Sequence, residues 1–485
     1  MTTNKKIIII GSGFSSLSAA CYLAKEGHKV TVLEKNDWLG GRAQKLVKSD
    51  YTFDMGPTFY WMPDVFEAFF VDFGKRTSEY YTLKRLSPAY RVYFGQDDFI
   101  DIAGDMEHIA ETFKHIEPSN DLQRFIDDSE ENYKIAINDL VYQPGNHLSE
   151  IITLQTAKKL PHFIKSIKSQ VAKAVKDERL RKILEFPVLF LGSTAAKTPA
   201  FYNFMNYADF VLGTWHPVGG MSKVSDAMVT LAKELGVTFH TSIAVNKINT
   251  TNNKVTSIST DKGEFDCDIL LSGADYAHTE SLLPKELRQY SENYWERKTF
   301  SPAALLFYLG IDKKLEGVEH HTLFFDTNFD RHSKEIYETK QWPENPLFYA
   351  SFPGKSDSTM CAADKEACTI LVPLAPGLDD TPERRERIFE NILTRLEQLT
   401  DTSIRPHIEY KSSYCINDFV NDFNSYKGNA YGLANTLLQT HILRPKLKSK
   451  KVDNLYFCGQ LTVPGPGVPP SIISGKIVSE LIQKN

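Results

Sequence analysis

No apolar run approaches the roughly 18 residues that a bilayer-spanning helix requires, and the six cysteines, at 21, 267, 361, 368, 415 and 458, form no C-x-x-C pair. The first absence leaves nothing to span a bilayer as a helix. The second argues against a zinc or thioredoxin-like centre, and scattered thiols suit a reducing compartment. Charge of one sign is not in excess either: the net charge is −5 with 24 % charged residues, which argues against global nucleic-acid binding. Internal repeats and low-complexity stretches are missing. What remains is a chain of 485 residues, long enough for two or three domains with a large core that needs no metal or disulfide. The four isoleucines near the start are too short a run for a secretory signal and read as a buried strand.

That strand, Lys5 to Ile10, leads into Gly11-Ser12-Gly13-Phe14-Ser15-Ser16. Leu17 to Lys25 has helical apolar spacing, and Lys29 to Leu33 is a second strand ended by Glu34, 23 residues after Gly11. Strand, glycine turn, helix, strand and acid in this order bind a dinucleotide. Gly11 permits the tight turn, Gly13 lets backbone amides approach a pyrophosphate, and the helix N-terminus supplies positive potential. Glu34 is placed for an adenosine ribose. The third glycine is replaced by Ser16, still small enough for close helix–strand packing.

Near the other end, Asn454 to Cys458 reads as a strand. A loop dense in proline and glycine follows, Gly459 to Pro470, and then a helix to about Gln483. Its helix N-terminus offers amide donors and a favourable dipole. The first and last segments must meet to enclose one cofactor, and Val237 to Asp275 supplies a third piece of the same domain. The chain therefore divides into cofactor-domain segments 1–75, 216–299 and 406–485. A helical, membrane-associating substrate domain occupies 76–215, and a substrate-binding sheet 300–405. The fold class is α/β: a Rossmann-like cofactor domain built from discontinuous segments, with an α+β substrate domain. Within 300–405 the strand-like runs are ALLFYLGI, HTLFF, PLFYASF and TILVPLA, followed by an amphipathic helix from Glu383 to Leu399.

Taken together, GSGFSSLSAACYLAKEGHKVTVLEK, GGRAQ, FDMGPTFYWMP, TWHPVGGMSKV, LLSGADY, HHTLFF and NLYFCGQLTVPGPGVPPSIISGKIV resemble the bacterial-type phytoene desaturases, FAD-dependent enzymes of carotenoid biosynthesis. The resemblance covers nearly the whole chain. It implies FAD held by Gly11, Gly13, Phe14, Ser15, Glu34, Lys35, Gly41, Arg42, Gly459, Thr462, Gly467 and Val468, with Val245 against the adenine. Where many relatives carry histidine after the threonine of the last block, this chain has Val463.

The family reaction removes a hydride and a proton from neighbouring carbons of a C40 polyene, the hydride going to the flavin. Phytoene is the first substrate the resemblance implies, and a hydroxylated or monocyclic later carotene the alternative. A flavin-dependent polyene isomerase, an amine-oxidase-like flavoenzyme and a carotenoid carrier are rival readings. Electrons would pass on to a quinone or oxygen. Phe59, Trp61 and Trp215 are the expected substrate contacts among two aromatic stripes, and Asp209, an acid in an apolar stretch, is the candidate catalytic group. His320-His321 lack further ligands at metal-binding spacing, so no metal is expected. A water-insoluble substrate calls for a docking surface. Lys158 to Lys182 holds nine basic residues and two acids, with Leu160, Phe163, Ile164, Ile167, Val171, Ala174 and Val175 on one side. Such a basic amphipathic segment reads as binding an anionic membrane surface, which places the protein in the cytoplasm, peripheral to the inner membrane.

Overall fold

The computed structural model describes residues 4–192 and 194–484. A five-stranded parallel sheet is assembled from three distant parts of the chain. Lys6–Ile10 is central, flanked by Lys29–Leu33 on one side and Ile269–Ser272 on the other, with Thr238–His240 and Leu455–Phe457 at the edges. Ile7, Ile9, Val32 and Leu271 are fully buried, as expected of β-branched and aliphatic strands covered on both faces. The helices Phe14–Lys25 and Val468–Gln483 pack closely on one face. A Cβ added to Gly475 would stand 2.4 Å from the Ser15 carbonyl oxygen, so only glycine permits this approach. Ser16 occupies the third-glycine position and abuts Gly273, which can carry no side chain there.

A seven-stranded sheet forms the second layer. Ala303–Ile311, all nine residues buried, lies antiparallel to Glu366–Leu374 and Ile408–Tyr414. Phe348–Ser351 and His321–Phe324 continue it, and Tyr90–Gly95 and Asp98–Ile102 complete it. The sheet thus draws strands from outside 300–405 on both sides. The helix Pro382–Thr400 covers one face through Ile388, Ile392, Leu393 and Leu396.

The segment expected to dock on membranes is broken into four short helices, Leu154–Lys158, Leu160–Ile164, Ile167–Ala174 and Glu178–Glu185. Ile167, Val171 and Val175 are buried in the main core and Ala174 nearly so. The lysines at 165, 168, 173 and 176 face solvent. The Ile167–Val175 part of this apolar face is therefore packed on the protein's own core. Phe163 stacks on Phe201 at 4.6 Å, and only Ile164 of the expected face projects outward. The Leu160 side chain lies outside the described residues.

Candidate active site

The glycine turn is held by the acid that the spacing singles out. Glu34 is buried; its Oε2 accepts hydrogen bonds from the Ser12 amide at 2.9 Å and the Ser12 hydroxyl at 2.8 Å, and its Oε1 from the Asn36 amide at 2.9 Å. Gly11 turns at φ +85°. Gly13 caps the helix Phe14–Lys25 with φ −70° and no side-chain cap, and space is open where its Cβ would be. The first amides of that helix are thus left to a ligand. Gly41, at φ +59°, folds back so that a Cβ there would sit 3.0 Å from the Gly13 Cα.

Arg42 follows. Its Nη2 donates to the Ser425 hydroxyl at 3.3 Å and the Asn429 carbonyl at 3.4 Å, and its guanidinium lies 4.8 Å from the Phe423 ring centre. Its Nε is buried without an acceptor. Burial lowers the pKa of this group and Asp275 opposes the shift. A cation with an unanswered donor beside a slot walled by two glycines fits a diphosphate.

These residues line one end of a cavity of about 1120 Å3, above the usual range of roughly 300–1,000 Å3 for a small-ligand pocket. The nucleotide end includes Gly11, Gly13, Phe14, Ser15, Glu34, Lys35, Gly41, Arg42 and Val245. The cavity passes Gly56-Pro57-Thr58 and Gly459, Gly467 and Val468, then runs between Phe59, Trp61, Phe66, Phe201, Tyr202 and Phe204. Ala136, Ile137, Leu140, Leu148, Ile151, Ile152 and Leu443 also line it, and the exposure of Leu148, Ile152 and Leu443 marks a mouth open to solvent.

Three expected residues stand off this wall. Thr462 is buried, its hydroxyl donating to the Gly459 carbonyl at 2.8 Å and sharing a 3.1 Å contact with the Ser474 hydroxyl. It shapes the loop from behind. Trp215 donates to the Leu212 carbonyl at 2.9 Å and lies under Arg85, because its strand, Trp215–Pro217, pairs with Leu83–Arg85 away from the cavity. Asp209 is buried among Tyr90 and Thr214, which donate to it at 2.8 and 3.1 Å. Burial pushes its pKa up to about 7 against the pull of those two bonds. Thr214 links it to the cavity wall, accepting a hydrogen bond from the Trp61 indole N–H at 2.7 Å.

The C-terminal helix also differs from expectation. Pro469 and Pro470 have no amide hydrogen, and the Ser471 amide is bonded to the Gly467 carbonyl at 3.0 Å. Its first turn keeps the Val468 amide alone to turn outward.

Other wall groups carry no signature in the sequence. Thr58 and Tyr349 face the cavity, the Tyr349 hydroxyl lying 2.9 Å from the Thr58 hydroxyl and 2.6 Å from His321 Nδ1. His321 stacks on Phe59 at 4.0 Å. Burial, and neighbouring histidines, drive the pKa values of His320 and His321 well below the ordinary histidine value. Among the described residues no group of three or more His, Cys, Asp or Glu is arranged to hold a metal. Gln143, Thr156, Thr440 and His441 add polar groups to the lining. His441 Nε2 lies 3.2 Å from a Glu150 carboxylate oxygen.

A family model described as flavin containing amine oxidoreductase matches residues 14–483. A carotenoid 3,4-desaturase from Haloarcula japonica is 39 % identical, covering 99 % of this chain and 98 % of the relative. The chain belongs to the flavin-dependent carotenoid desaturases of this family. A zeta-carotene-forming phytoene desaturase from Myxococcus xanthus is 29 % identical over 99 % of this chain and 94 % of its own length. An oxidoreductase from Methanosarcina mazei shares the fold, with a TM-score of 0.64 and 18 % identity over 98 % of this chain and 100 % of that one. The desaturase is thus an FAD oxidoreductase acting on CH–CH groups, and the slot between Gly13, Gly41 and Arg42 fits the diphosphate of that cofactor. Among the described residues no helix is long and apolar enough to cross a membrane.

Proposed function

We propose that the chain desaturates a C40 carotenoid at a step after phytoene. The observation that carries this reading is the 39 % identity, end to end, with a carotenoid 3,4-desaturase, against 29 % with a phytoene desaturase. The polar lining of the cavity supports it. Gln143 and His441 give a hydroxylated chain end something to bond, whereas phytoene, a pure hydrocarbon, offers them nothing.

When bound, FAD supplies the hydride acceptor. Glu34 and Lys35 hold its ribose end and Val245 its adenine. Gly11, Gly13, Phe14, Ser15, Gly41 and Arg42 hold the diphosphate, and Gly459, Gly467 and Val468 the ring end. Phe59, Trp61, Phe201 and Phe204 clamp the polyene, at about 25 cal/mol per Å2 of apolar surface covered. Thr58 and Tyr349, backed by His321, carry the departing proton away from the reacting carbon. A quinone or oxygen takes the electrons afterwards.

Substrate arrives from a membrane surface, and the docking patch is the cavity mouth. Leu148, Ile152 and Leu443 are 56, 70 and 46 % exposed and line the cavity. An apolar cluster continuous with an apolar tunnel lets a polyene pass between lipid and protein without meeting water.

The test is incubation of the purified holoenzyme with phytoene, lycopene and a hydroxylated acyclic carotene, each in liposomes with a quinone. Longer-wavelength products from the conjugated substrates and none from phytoene support the reading. Conversion of phytoene alone restores the earlier step, and rearranged products without new double bonds identify an isomerase.

A further inference from the structure

Arg444 is among the largest fully buried side chains of the protein, 2 % exposed. Burying a cation is costly unless a carboxylate answers it. Here no ion pair involves Arg444 among the described residues, and backbone carbonyls and one amide side chain take that place. Nη1 donates to the carbonyls of Gln460 and Thr462 at 3.2 and 3.3 Å. Nη2 donates to the Leu433 carbonyl at 2.9 Å and to Asn435 Oδ1. Nε has no acceptor. Burial lowers its pKa only to about 10, with Tyr202 and Tyr294 opposing the shift, so the group keeps its charge at neutral pH.

Two of the three carbonyls it grips, those of Gln460 and Thr462, belong to the glycine–proline loop that walls the cavity. Gln460, Val463 and Asn435 line that wall, and the Arg444 guanidinium would stand 3.2 Å from a Cβ on Gly465. In a trans peptide the C=O and N–H point in opposite directions. Drawing the Thr462 carbonyl inward therefore turns the Val463 amide away from the guanidinium. FAD is a long, linear molecule. With its ribose at Glu34 and its diphosphate at Arg42, its ring system runs on toward this loop. Reduction of the ring by two electrons and one proton adds one negative charge there. The neighbouring helix has lost two of its first-turn amides to proline, so little of the compensating positive potential comes from its donors.

We infer that Arg444 is the buried counter-charge that makes bound FAD easier to reduce. It acts through the loop, as a positioning and electrostatic residue that touches neither substrate nor reacting atoms. The inference rests on FAD occupying this cavity and goes beyond the desaturase reading.

The measurement is the midpoint potential of the flavin in the purified holoenzyme, by dye-coupled titration. The wild-type potential should lie above that of free FAD. Arg444→Gln keeps polar contacts and loses the charge; Arg444→Lys keeps the charge. At fixed ambient potential, Arg444→Gln should shift the reduced-to-oxidised ratio at least about tenfold toward oxidised, about 30 mV for a two-electron couple. Arg444→Lys should restore most of it, with flavin content and visible spectrum kept in both. A wild-type potential at or below that of free FAD overturns the inference even if neither variant folds. So does an Arg444→Gln protein with bound flavin and an unchanged potential, or a Lys variant that falls as far as Gln. A protein that binds no FAD at all would instead sink the cofactor reading.

Discussion

The cavity is built by opposite means at its two ends. At the nucleotide end the wall is backbone, with glycine turns fixed by one buried carboxylate and set on a parallel sheet whose strands are fully covered. At the mouth the wall is aliphatic side chains on short helices and turns between 136 and 164 and between 438 and 443, several of them facing solvent. One end recognises charge and hydrogen bonds in a fixed geometry. The other recognises only apolar area, which is non-directional. Substitutions at the first should therefore act almost all or none, and substitutions at the second in graded steps.

The sharpest break is Gly13→Val. Its φ of −70° suits an L residue and its Cβ would meet no protein atom within 4 Å, so the apoprotein should fold with an unaltered melting temperature. The isopropyl group would occupy the diphosphate slot. FAD affinity should fall at least about 100-fold, on the order of 2.8 kcal/mol, read from flavin absorbance of the purified protein. Full flavin content in a folded variant would show that this end is not the diphosphate site.

At the mouth, the double change Leu148→Glu with Ile152→Glu should leave flavin content as it was. It should lower binding to zwitterionic vesicles, and turnover of vesicle-borne carotene, roughly tenfold, since full burial of one such side chain is worth about 1.5–3 kcal/mol and side chains at a mouth insert only in part. Retained vesicle binding would move the docking surface elsewhere. The quadruple change of Lys165, Lys168, Lys173 and Lys176 to glutamine should do less. These lysines are solvated, and each contributes at most about 1 kcal/mol near an anionic surface, screened by salt. A loss of about threefold on anionic vesicles that vanishes at high salt is expected. A larger loss than the mouth variant would return docking to the basic segment.

The same contrast explains what the sequence revealed. The Gly11–Glu34 spacing, the Gly40-Gly41-Arg42 element and the Gly459–Pro470 loop were legible because a backbone site needs particular residues at particular offsets. Four of the seven strands of the second sheet were legible from their apolar runs; Tyr90–Gly95, Asp98–Ile102 and Ile408–Tyr414 join it from outside 300–405 and were not. The mouth was not, because an exposed leucine in a lining role looks like any surface leucine. The basic segment misled because the helical spacing of Ile167, Val171 and Val175 marks an apolar face without saying what covers it; here Ile183, Leu184 and the rest of the main core do. Thr58 and Tyr349 come together from residues far apart in the chain, which no spacing records. Trp215 and Asp209 were chosen for their sequence neighbours; strand pairing with Leu83–Arg85 holds Trp215 off the cavity, and Asp209 turns to Tyr90 and Thr214.

Asp209 gives the smallest effect on activity and the cleanest on stability. Two side chains, Thr214 and Trp61, separate it from the cavity, so Asp209→Asn should change turnover by less than about threefold, where loss of a general base would cost about 100-fold or more. Its stability effect has a definite sign. The folded-state pKa is pushed by burial up to about 7, above the ordinary carboxylate value of 3.8. Between those values the folded protein binds the proton that the unfolded chain has lost. The stabilisation is therefore fully present below about pH 4, declines as pH rises, and is gone above about pH 7, by up to about 1.4 kcal/mol per pH unit. Asparagine mimics the protonated acid in shape and does not titrate. The variant should therefore match the wild type in denaturant titrations near pH 4 and exceed it progressively toward pH 8. If the two curves run parallel across that range, Asp209 is ionised in the folded protein. If turnover also falls by about 100-fold, the acid belongs to the chemistry after all, and the division between a backbone-built end and a side-chain-built end must admit a catalytic group behind the wall.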